Sequence, residues 1–143
     1  MLRRLVALAL AASAAAISIT KAAPEGTYYG EDKFVGSKIG ATVELKNATS
    51  LHVTLIGALH IDCDDEPYTY DSSKKEIVLA DTGSDDCIAK HLAKDHAELT
   101  HMPYDGSHDT ITLQVSVSLG KHRSMFDKTA TQKFELKLKH TSS

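Results

Sequence analysis

Hydrophobic and polar residues alternate along most of this chain with a period of two. In residues 111–119 every second side chain is apolar, and the same alternation runs through 39–46 and 133–139. It also runs through 51–61, where Gly57 interrupts it and predicts a bulge. This pattern is typical of antiparallel strands that cover a core with one face and meet solvent with the other. Three shorter strands are predicted at 68–70, 76–79 and 99–104.

One segment in the middle of the chain has the period of a helix instead. Ser84 or Asp85 can cap its first turn, and the pattern predicts a helix at about residues 85–98. Because one short helix cannot cover seven strands, we expect an α+β, mainly β fold. It would contain about seven antiparallel strands forming a curled sheet or a partly closed barrel or sandwich, with the mid-chain helix on one side. The apolar stripe of the predicted helix consists of Ile88, Leu92 and Leu99.

The first 22 residues have the composition of a secretory signal peptide. A positively charged head at 1–4 is followed by an apolar stretch at 5–19. Thr20 and Ala22 then place small residues at positions −3 and −1 of a cut before Ala23. The apolar stretch is too short for a membrane-spanning helix, so we expect export and cleavage.

Removing that segment defines the expected mature protein. It leaves residues 23–143 as one β-rich domain, secreted or held at the extracellular surface, or periplasmic if the source is bacterial. It also removes three of the 16 basic residues and none of the 19 acidic ones, so the net charge becomes −6 with neutral histidines. A net negative domain argues against nucleic acid as a partner. The mature sequence has no second apolar segment that would give stable membrane insertion.

Cys63 and Cys87 are the only cysteines in the chain. In an oxidising compartment an isolated pair most often forms one disulfide, which would tie the end of the predicted 51–61 strand to the start of the helix. The alternative is a reactive thiol pair, but the sequence lacks the short Cys-x-x-Cys spacing. The sequence therefore predicts a structural disulfide.

Acidic residues cluster around both cysteines. A disulfide would gather them into a patch that offers oxygen ligands for Ca²⁺ or a docking surface for a protein partner. Because neither segment has the spacing of an EF-hand loop, we predict no metal ion or other cofactor and keep weak calcium binding as an alternative. The predicted acidic patch consists of Asp62, Asp64, Asp65, Glu66, Asp85 and Asp86.

The string Asp81–Ser84 follows the apolar run 77–80 and is similar to the Asp-Thr-Gly-Ser element of aspartic proteases. In that family two such carboxylates share one proton and activate water. The resemblance implies, as an alternative function, a dimeric acid protease using Asp81, Thr82 and Gly83. The chain departs from the family because it leaves too little room downstream for a flap and a second conserved strand. The same string also suits a turn leading into a helix cap.

A glycosylation sequon stands at an apparent turn between two predicted strands. Asn47-Ala48-Thr49 has the required pattern, and a turn would expose the acceptor amide of Asn47. The prediction applies only to a eukaryotic source.

Five short elements are spread over the expected mature chain: Gly26-Thr27-Tyr28-Tyr29-Gly30, Ile61-Asp62-Cys63, Tyr68-Thr69-Tyr70-Asp71, Cys87-Ile88 with Leu92, and Tyr104-Asp105 with Asp109-Thr110-Ile111-Thr112-Leu113. Together they resemble small secreted or surface proteins of kinetoplastid protozoa, which share a Gly-Thr-Tyr start and one cysteine pair. That resemblance implies a common scaffold, brings no assigned activity, and places Asp81–Ser84 in a variable connector. The start is also loosely similar to lipocalin and fatty-acid-binding barrels, although this chain has no Trp.

These observations predict a secreted, non-enzymatic binding module. One candidate ligand is an unknown small apolar molecule, held between the long strands and the helix residues Ile88 and Leu92. The other candidate is an extracellular protein that docks at the acidic patch and whose affinity falls with salt.

Overall fold

A computed structural model describes residues 20–80, 86–119 and 130–141. Within these ranges the chain forms nine antiparallel strands and one helix. In chain order they are β1 (Gly26–Phe34), β2 (Ser37–Leu45), β3 (Ser50–Gly57), β4 (Ile61–Asp71), β5 (Glu76–Leu79), α1 (Cys87–Lys94), β6 (Ala97–His101), β7 (Tyr104–Asp105), β8 (Thr110–Leu119) and β9 (Ala130–His140).

The strands form one sheet that is nearly closed into a barrel. Their spatial order is β5-β4-β3-β2-β1-β9-β8-β6, with the short β7 beside β8. Between the end strands β5 and β6 the barrel is bridged only in part: Glu76 lies opposite Pro103, and the Ile77 N–H donates to the Met102 carbonyl at 2.9 Å. The predicted mainly β fold with one mid-chain helix is therefore confirmed.

Alternating residues of the long strands fill the interior of the barrel, as the sequence predicts. On β8, for example, Ile111, Leu113 and Val115 are at most 3% exposed. Ile88 and Leu92 of α1 are 3% and 1% exposed and belong to the same buried cluster. The space where we expected an apolar ligand, between the strands and this helix, is thus occupied by the protein's own side chains in the described part of the chain.

β1 closes the sheet, and the hydrophobic pattern does not predict it. It pairs with β2 along its whole length and with β9 at Tyr28 and Tyr29. Its inward positions include Tyr28, which is fully buried, but also Gly30 and the exposed Asp32. Polar and small residues at inward positions hide the alternation, so this strand was missing from the predicted set.

The helix is shorter than predicted. It begins at Cys87, where the Asp86 carboxylate accepts hydrogen bonds from the first-turn N–H groups, and it ends at Lys94. His96 then has a φ of +53°, a left-handed conformation that stops the helix. Leu99, which we placed on the helical stripe, lies instead on β6.

The predicted 51–61 strand is in fact two elements. β3 ends at Gly57, which has a φ of +111° and lies so close to β2 that an added Cβ would be 2.0 Å from the Lys38 carbonyl oxygen. Gly57 therefore ends a strand and does not form a bulge within one. Leu59 is buried in the connection, and β4 starts at Ile61.

Cys63 and Cys87 form the predicted disulfide, with their Cα atoms 5.9 Å apart. Cys63 is buried on β4, whereas Cys87 is the partly exposed first residue of α1. The bond therefore fastens the helix to the barrel wall. No helix among the described residues is long and apolar enough to cross a membrane.

Candidate functional site

The carboxylates of the predicted acidic patch do not all face the same way. Asp62 lies 2.6 Å from the Nε2 atom of His52, and Asp64 pairs with Lys46. Hydrogen bonding to Lys46 holds the pKa of Asp64 below its usual value. Asp65 lies 3.4 Å from the same lysine, so a single ammonium group is shared by two carboxylates of the exposed part of the patch.

Two other members of the patch serve the fold. Asp86 caps α1 with its Oδ1 atom, 3.0 Å from the Ile88 nitrogen. Glu66 points inward and is only 6% exposed, because Asp65 adopts a φ of +54° and shifts the alternation along β4 by one residue. Burial, with the nearby Asp86 charge, raises the pKa of Glu66. The remaining member, Asp85, lies outside the described residues.

The alternative catalytic residues Asp81, Thr82 and Gly83 also lie outside the described residues. The strand that leads to them, β5, is described and pairs with β4 from Tyr68 to Asp71. The protease alternative therefore keeps the status of a sequence-based prediction.

Asn47 lies in the exposed turn between β2 and β3, as expected for a glycosylation acceptor. Its Oδ1 atom accepts hydrogen bonds from the Thr49 N–H at 2.9 Å and the Thr49 hydroxyl at 3.0 Å. The Tyr68 hydroxyl fixes the turn by donating to the Asn47 carbonyl at 2.7 Å.

One group of potential metal ligands surrounds the disulfide. The sulfur atoms of Cys63 and Cys87 and a ring nitrogen of His91 lie within 4.8 Å of one another. Both sulfur atoms are bonded to each other, and thiolates are the form of cysteine that binds metals. While the disulfide is intact, this group has no thiolate to offer.

A different site is visible on the outer face of β1, β2 and β3. There the strands form a shallow depression of about 300 Å³, which we call the outer dish. Gly40 forms its floor, and the side chains of Tyr29 and Ile56 form two apolar walls. Both walls are open to solvent: Tyr29 is 45% exposed and Ile56 is 63% exposed. The outer dish consists of Tyr29, Gly40, Thr42, Thr54 and Ile56.

Strand register creates the outer dish. Gly40 of β2 lies between Glu31 on β1 and Ile56 on β3, and Tyr29 lies opposite Thr42. Because Gly40 has no side chain, the outer surface of the sheet is recessed at this position. A Cβ added to Gly40 would have the Tyr29 hydroxyl oxygen as its nearest atom, at 3.8 Å. A large aromatic residue and a large aliphatic residue therefore stand on either side of an empty position.

The charges at the edge of the outer dish are paired with each other. The Lys38 ammonium lies 2.8 Å from the Glu31 carboxylate. Hydrogen bonding to Lys38 and to Tyr29 lowers the pKa of Glu31, and hydrogen bonding to Glu31 raises the pKa of Tyr29. The outer dish consequently offers apolar contact without an unpaired charge at its edge.

Sequence reasoning did not find the outer dish, because its residues come from three strands. One signal was present: Ile56 is apolar at a position where the alternation of β3 requires an outward-facing residue. Tyr29 is likewise a large side chain next to the buried Tyr28. An apolar residue on the solvent side of a strand marks a possible contact surface only when its neighbours across the sheet are known.

A partly buried polar network lies at the end of the barrel where β1, β7 and β8 meet. The Asp109 Oδ1 atom accepts hydrogen bonds from the hydroxyls of Tyr28 and Tyr104, both at 2.8 Å. Its Oδ2 atom lies 2.8 Å from the Lys21 ammonium and 3.6 Å from His140. Asp109 reaches this position from a left-handed conformation with a φ of +52°.

The network shifts the pKa values of its members in opposite directions. Burial raises the pKa of Asp109, but the hydrogen bonds from Lys21, Tyr28 and Tyr104 outweigh burial and hold the pKa below its usual value. Burial and the hydrogen bond to Asp109 raise the pKa of Tyr104 to about 12 and raise that of Tyr28 further. At neutral pH the network is therefore a carboxylate held by two neutral phenols.

We compared the chain with protein-family models, curated proteins and solved structures, and none of them matches it.

Proposed function

We propose that the protein is an extracellular, non-enzymatic binding domain that recognises a partner protein through the outer dish. The observation that carries the proposal is the exposure of Tyr29 and Ile56 on either side of Gly40. Soluble domains seldom leave large apolar side chains together on an outer sheet face unless another molecule covers them. The disulfide supports an oxidising, extracellular compartment.

The size and charge of the outer dish favour a protein side chain over a free small molecule. Its volume of about 300 Å³ is at the lower limit of small-molecule pockets, and it is open on one side. Since Glu31 and Lys38 neutralise each other, the complementary group is uncharged. The proposed occupant is an aromatic or aliphatic side chain that projects from the partner and packs on Gly40 between Tyr29 and Ile56.

The two ligand sites predicted from the sequence, the barrel interior and the acidic patch, have weaker structural support as binding sites than the outer dish. Among the described residues, the interior between the strands and α1 is filled by side chains such as those of Ile88 and Leu92. In the acidic patch Lys46 and His52 already pair with the exposed carboxylates, which reduces the charge available to a partner. The outer dish has neither of these disadvantages.

The experiment begins by finding the partner and then measures its affinity. A photo-crosslinking residue replaces Thr42 in the full-length, exported protein, and the crosslinked partner is identified by mass spectrometry and purified. Its Kd is then measured for the wild type, for Ile56→Asp and for Val78→Asp. Val78 is the matched control because it is 44% exposed but lies on β5, away from the outer dish.

We expect Ile56→Asp to weaken binding by about tenfold or more, because it places a charge against an apolar contact. Val78→Asp should change the Kd by less than about twofold. Equal affinities of the wild type and Ile56→Asp, or a crosslink that yields no specific partner, would overturn the proposal. Circular dichroism of both variants checks that the fold is retained.

A further inference from the structure

The outer face of β8 and β9 carries a second depression, with different chemistry. It has a volume of about 840 Å³ and lies beside the Asp109 network. Lys137 and Lys139 of β9 stand opposite Thr112 and Thr110 of β8. We call this surface the basic groove and define it by Lys137, Lys139, His108, His140, Thr110 and Thr112.

The two lysines of the basic groove have ammonium groups that the described part of the chain does not neutralise. Neither Lys137 nor Lys139 lies within 4.0 Å of a carboxylate among the described residues, in contrast to Lys38 at the outer dish. They are two residues apart on one strand face, so their Cα atoms are about 7 Å apart. Both side chains are exposed and point to the same side of the sheet.

The carboxylates in the basic groove already have other partners. Asp105 accepts a hydrogen bond from the Ser107 N–H at 2.9 Å and lies 2.7 Å from the Nδ1 atom of His108. Hydrogen bonds from Ser107 and His108 hold the pKa of Asp105 well below its usual range. In the expected mature protein, which lacks Lys21, Asp109 is held by the hydroxyls of Tyr28 and Tyr104. These acids therefore position His108 and His140 along the basic groove and leave the lysines free to bind a ligand.

Close packing of β1 on β9 fixes the backbone that carries the lysines. A Cβ added to Gly30 of β1 would lie 2.1 Å from the Lys137 carbonyl oxygen. The ring of His140 packs edge-on against Tyr28, with centroids 5.2 Å apart. The backbone that carries the two lysines is thus fixed before any ligand arrives.

We infer that the basic groove binds a ligand carrying a phosphate or sulfate group. Two lysine ammonium groups and two threonine hydroxyls provide several hydrogen-bond donors within one concave surface, and a tetrahedral oxyanion has enough oxygen atoms to accept from them. The volume is large enough for the organic part of a small phosphorylated or sulfated molecule. This site is separate from the outer dish, and its test is independent of the proposed function.

The experiment is a titration of the ¹⁵N-labelled protein, followed by amide chemical shifts at constant ionic strength. The probes are inorganic phosphate, inorganic sulfate, a hexose phosphate and a sulfated disaccharide, with sodium chloride as the reference salt. We expect saturable shifts in 110–112 and 137–140. Tighter binding of an ester than of the inorganic anions would identify a sugar-linked group, and the reverse order would identify the free anion.

Variants then assign the binding to the lysines. The double variant Lys137→Gln, Lys139→Gln should weaken the Kd by about tenfold, since each lysine is expected to make a charge-assisted hydrogen bond. The matched control is Lys133→Gln, which lies on the same face of β9 but lines a different surface next to Glu135. It should change the Kd by less than about twofold.

Three results would overturn the inference. They are the absence of saturable shifts with all four probes, shifts that the reference salt reproduces, and equal weakening by Lys133→Gln and by the double variant. Thr112→Val provides a further measurement, because it keeps the charge and removes one donor. We expect it to weaken the Kd by about threefold, whereas non-directional attraction would leave the Kd unchanged.

Discussion

The outer dish and the basic groove are two regions of the same sheet, on either side of the contact between β1 and β9. On β1–β3 a glycine floor separates two apolar side chains, and the nearby charges of Glu31 and Lys38 neutralise each other. At the basic groove on β8–β9 the outward pairs are Thr110 with Lys139 and Thr112 with Lys137, and these lysines have no carboxylate partners among the described residues. Burial constrains the inward half of each strand, whereas the outward half is free to specialise for different ligands.

The largest expected effect on stability comes from removing the disulfide, and it tests whether the outer dish and the basic groove unfold together as one cooperative unit. Replacing both cysteines, by Cys63→Ser and Cys87→Ser, should lower the free energy of unfolding by about 3 kcal/mol, because the unfolded chain gains freedom. Neither surface contains the disulfide, so both should lose structure at the same urea concentration. The measurement is urea unfolding followed by amide signals of each surface. Different midpoints for β1–β3 and β8–β9 would contradict a single unit.

A smaller effect is expected from a change at the boundary between the two surfaces. Gly30→Ala would force β1 away from the Lys137 carbonyl oxygen and should lower the free energy of unfolding by about 2 kcal/mol. Gly40→Ala is the matched control, since it meets only the Tyr29 hydroxyl at 3.8 Å. It should leave stability nearly unchanged while it partly fills the outer dish. Thermal unfolding measures both, and equal melting temperatures would contradict the packing described for Gly30.

The next prediction concerns the end of the barrel beside the basic groove. Asp109→Asn keeps the shape and tolerates the left-handed backbone, but it removes the charge that the hydroxyls of Tyr28 and Tyr104 stabilise in the expected mature protein. We expect a loss of about 1.5 kcal/mol at neutral pH. The loss should start to shrink as pH falls below about 4, the ordinary pKa of an unfolded aspartate, and should disappear once pH falls below the depressed pKa of folded Asp109.

Urea unfolding of Asp109→Asn and the wild type between pH 2 and 7 measures this pH dependence. A difference in stability that is constant over the whole pH range would contradict a role for the charge. The chemical shifts of Gly40 and Ile56 in the outer dish should not change in the variant, since Asp109 contacts β1 at Tyr28 and these two residues lie on β2 and β3.

The smallest effect is expected at the edge of the outer dish. Lys38→Gln breaks the exposed ion pair with Glu31 and should change the melting temperature by no more than about 2 °C. It leaves Glu31 without its partner, so binding of an apolar side chain at the outer dish should become weakly dependent on salt. A large loss of stability would show that this pair supports the fold.

Much of the fold follows from the sequence, because period-two alternation reports burial directly. Residues such as Val115 and Leu136 were predicted to face the core, and both are buried. The disulfide was also predicted, since only two cysteines are present. β1 was missed because Gly30 and Asp32 occupy inward positions, and the end of the helix was misplaced because Leu99 has helical spacing but lies on a strand.

The two proposed binding surfaces are less accessible to sequence reasoning for a physical reason. Tyr29, Gly40 and Ile56 become neighbours only through the register of three strands. Lys137 and Lys139 look like ordinary solvent-facing lysines until Thr110 and Thr112 are placed opposite them. The partners of the clustered carboxylates were hidden in the same way, because strand pairing places Lys46 beside Asp64 and His52 beside Asp62.

The pairing of β1 with β9 has a consequence for the order of folding. Tyr28 and His140 are about 110 positions apart, whereas β1–β2, β2–β3, β3–β4, β4–β5 and β8–β9 join consecutive strands. Closing such a long loop costs more chain entropy than forming a hairpin, so the hairpins form before the barrel closes. Because the chain is synthesised from its N-terminus, one edge of β1 must stay unpaired until β9 has been made and can pair with it. During that interval the edge is open to pairing with another copy of the chain.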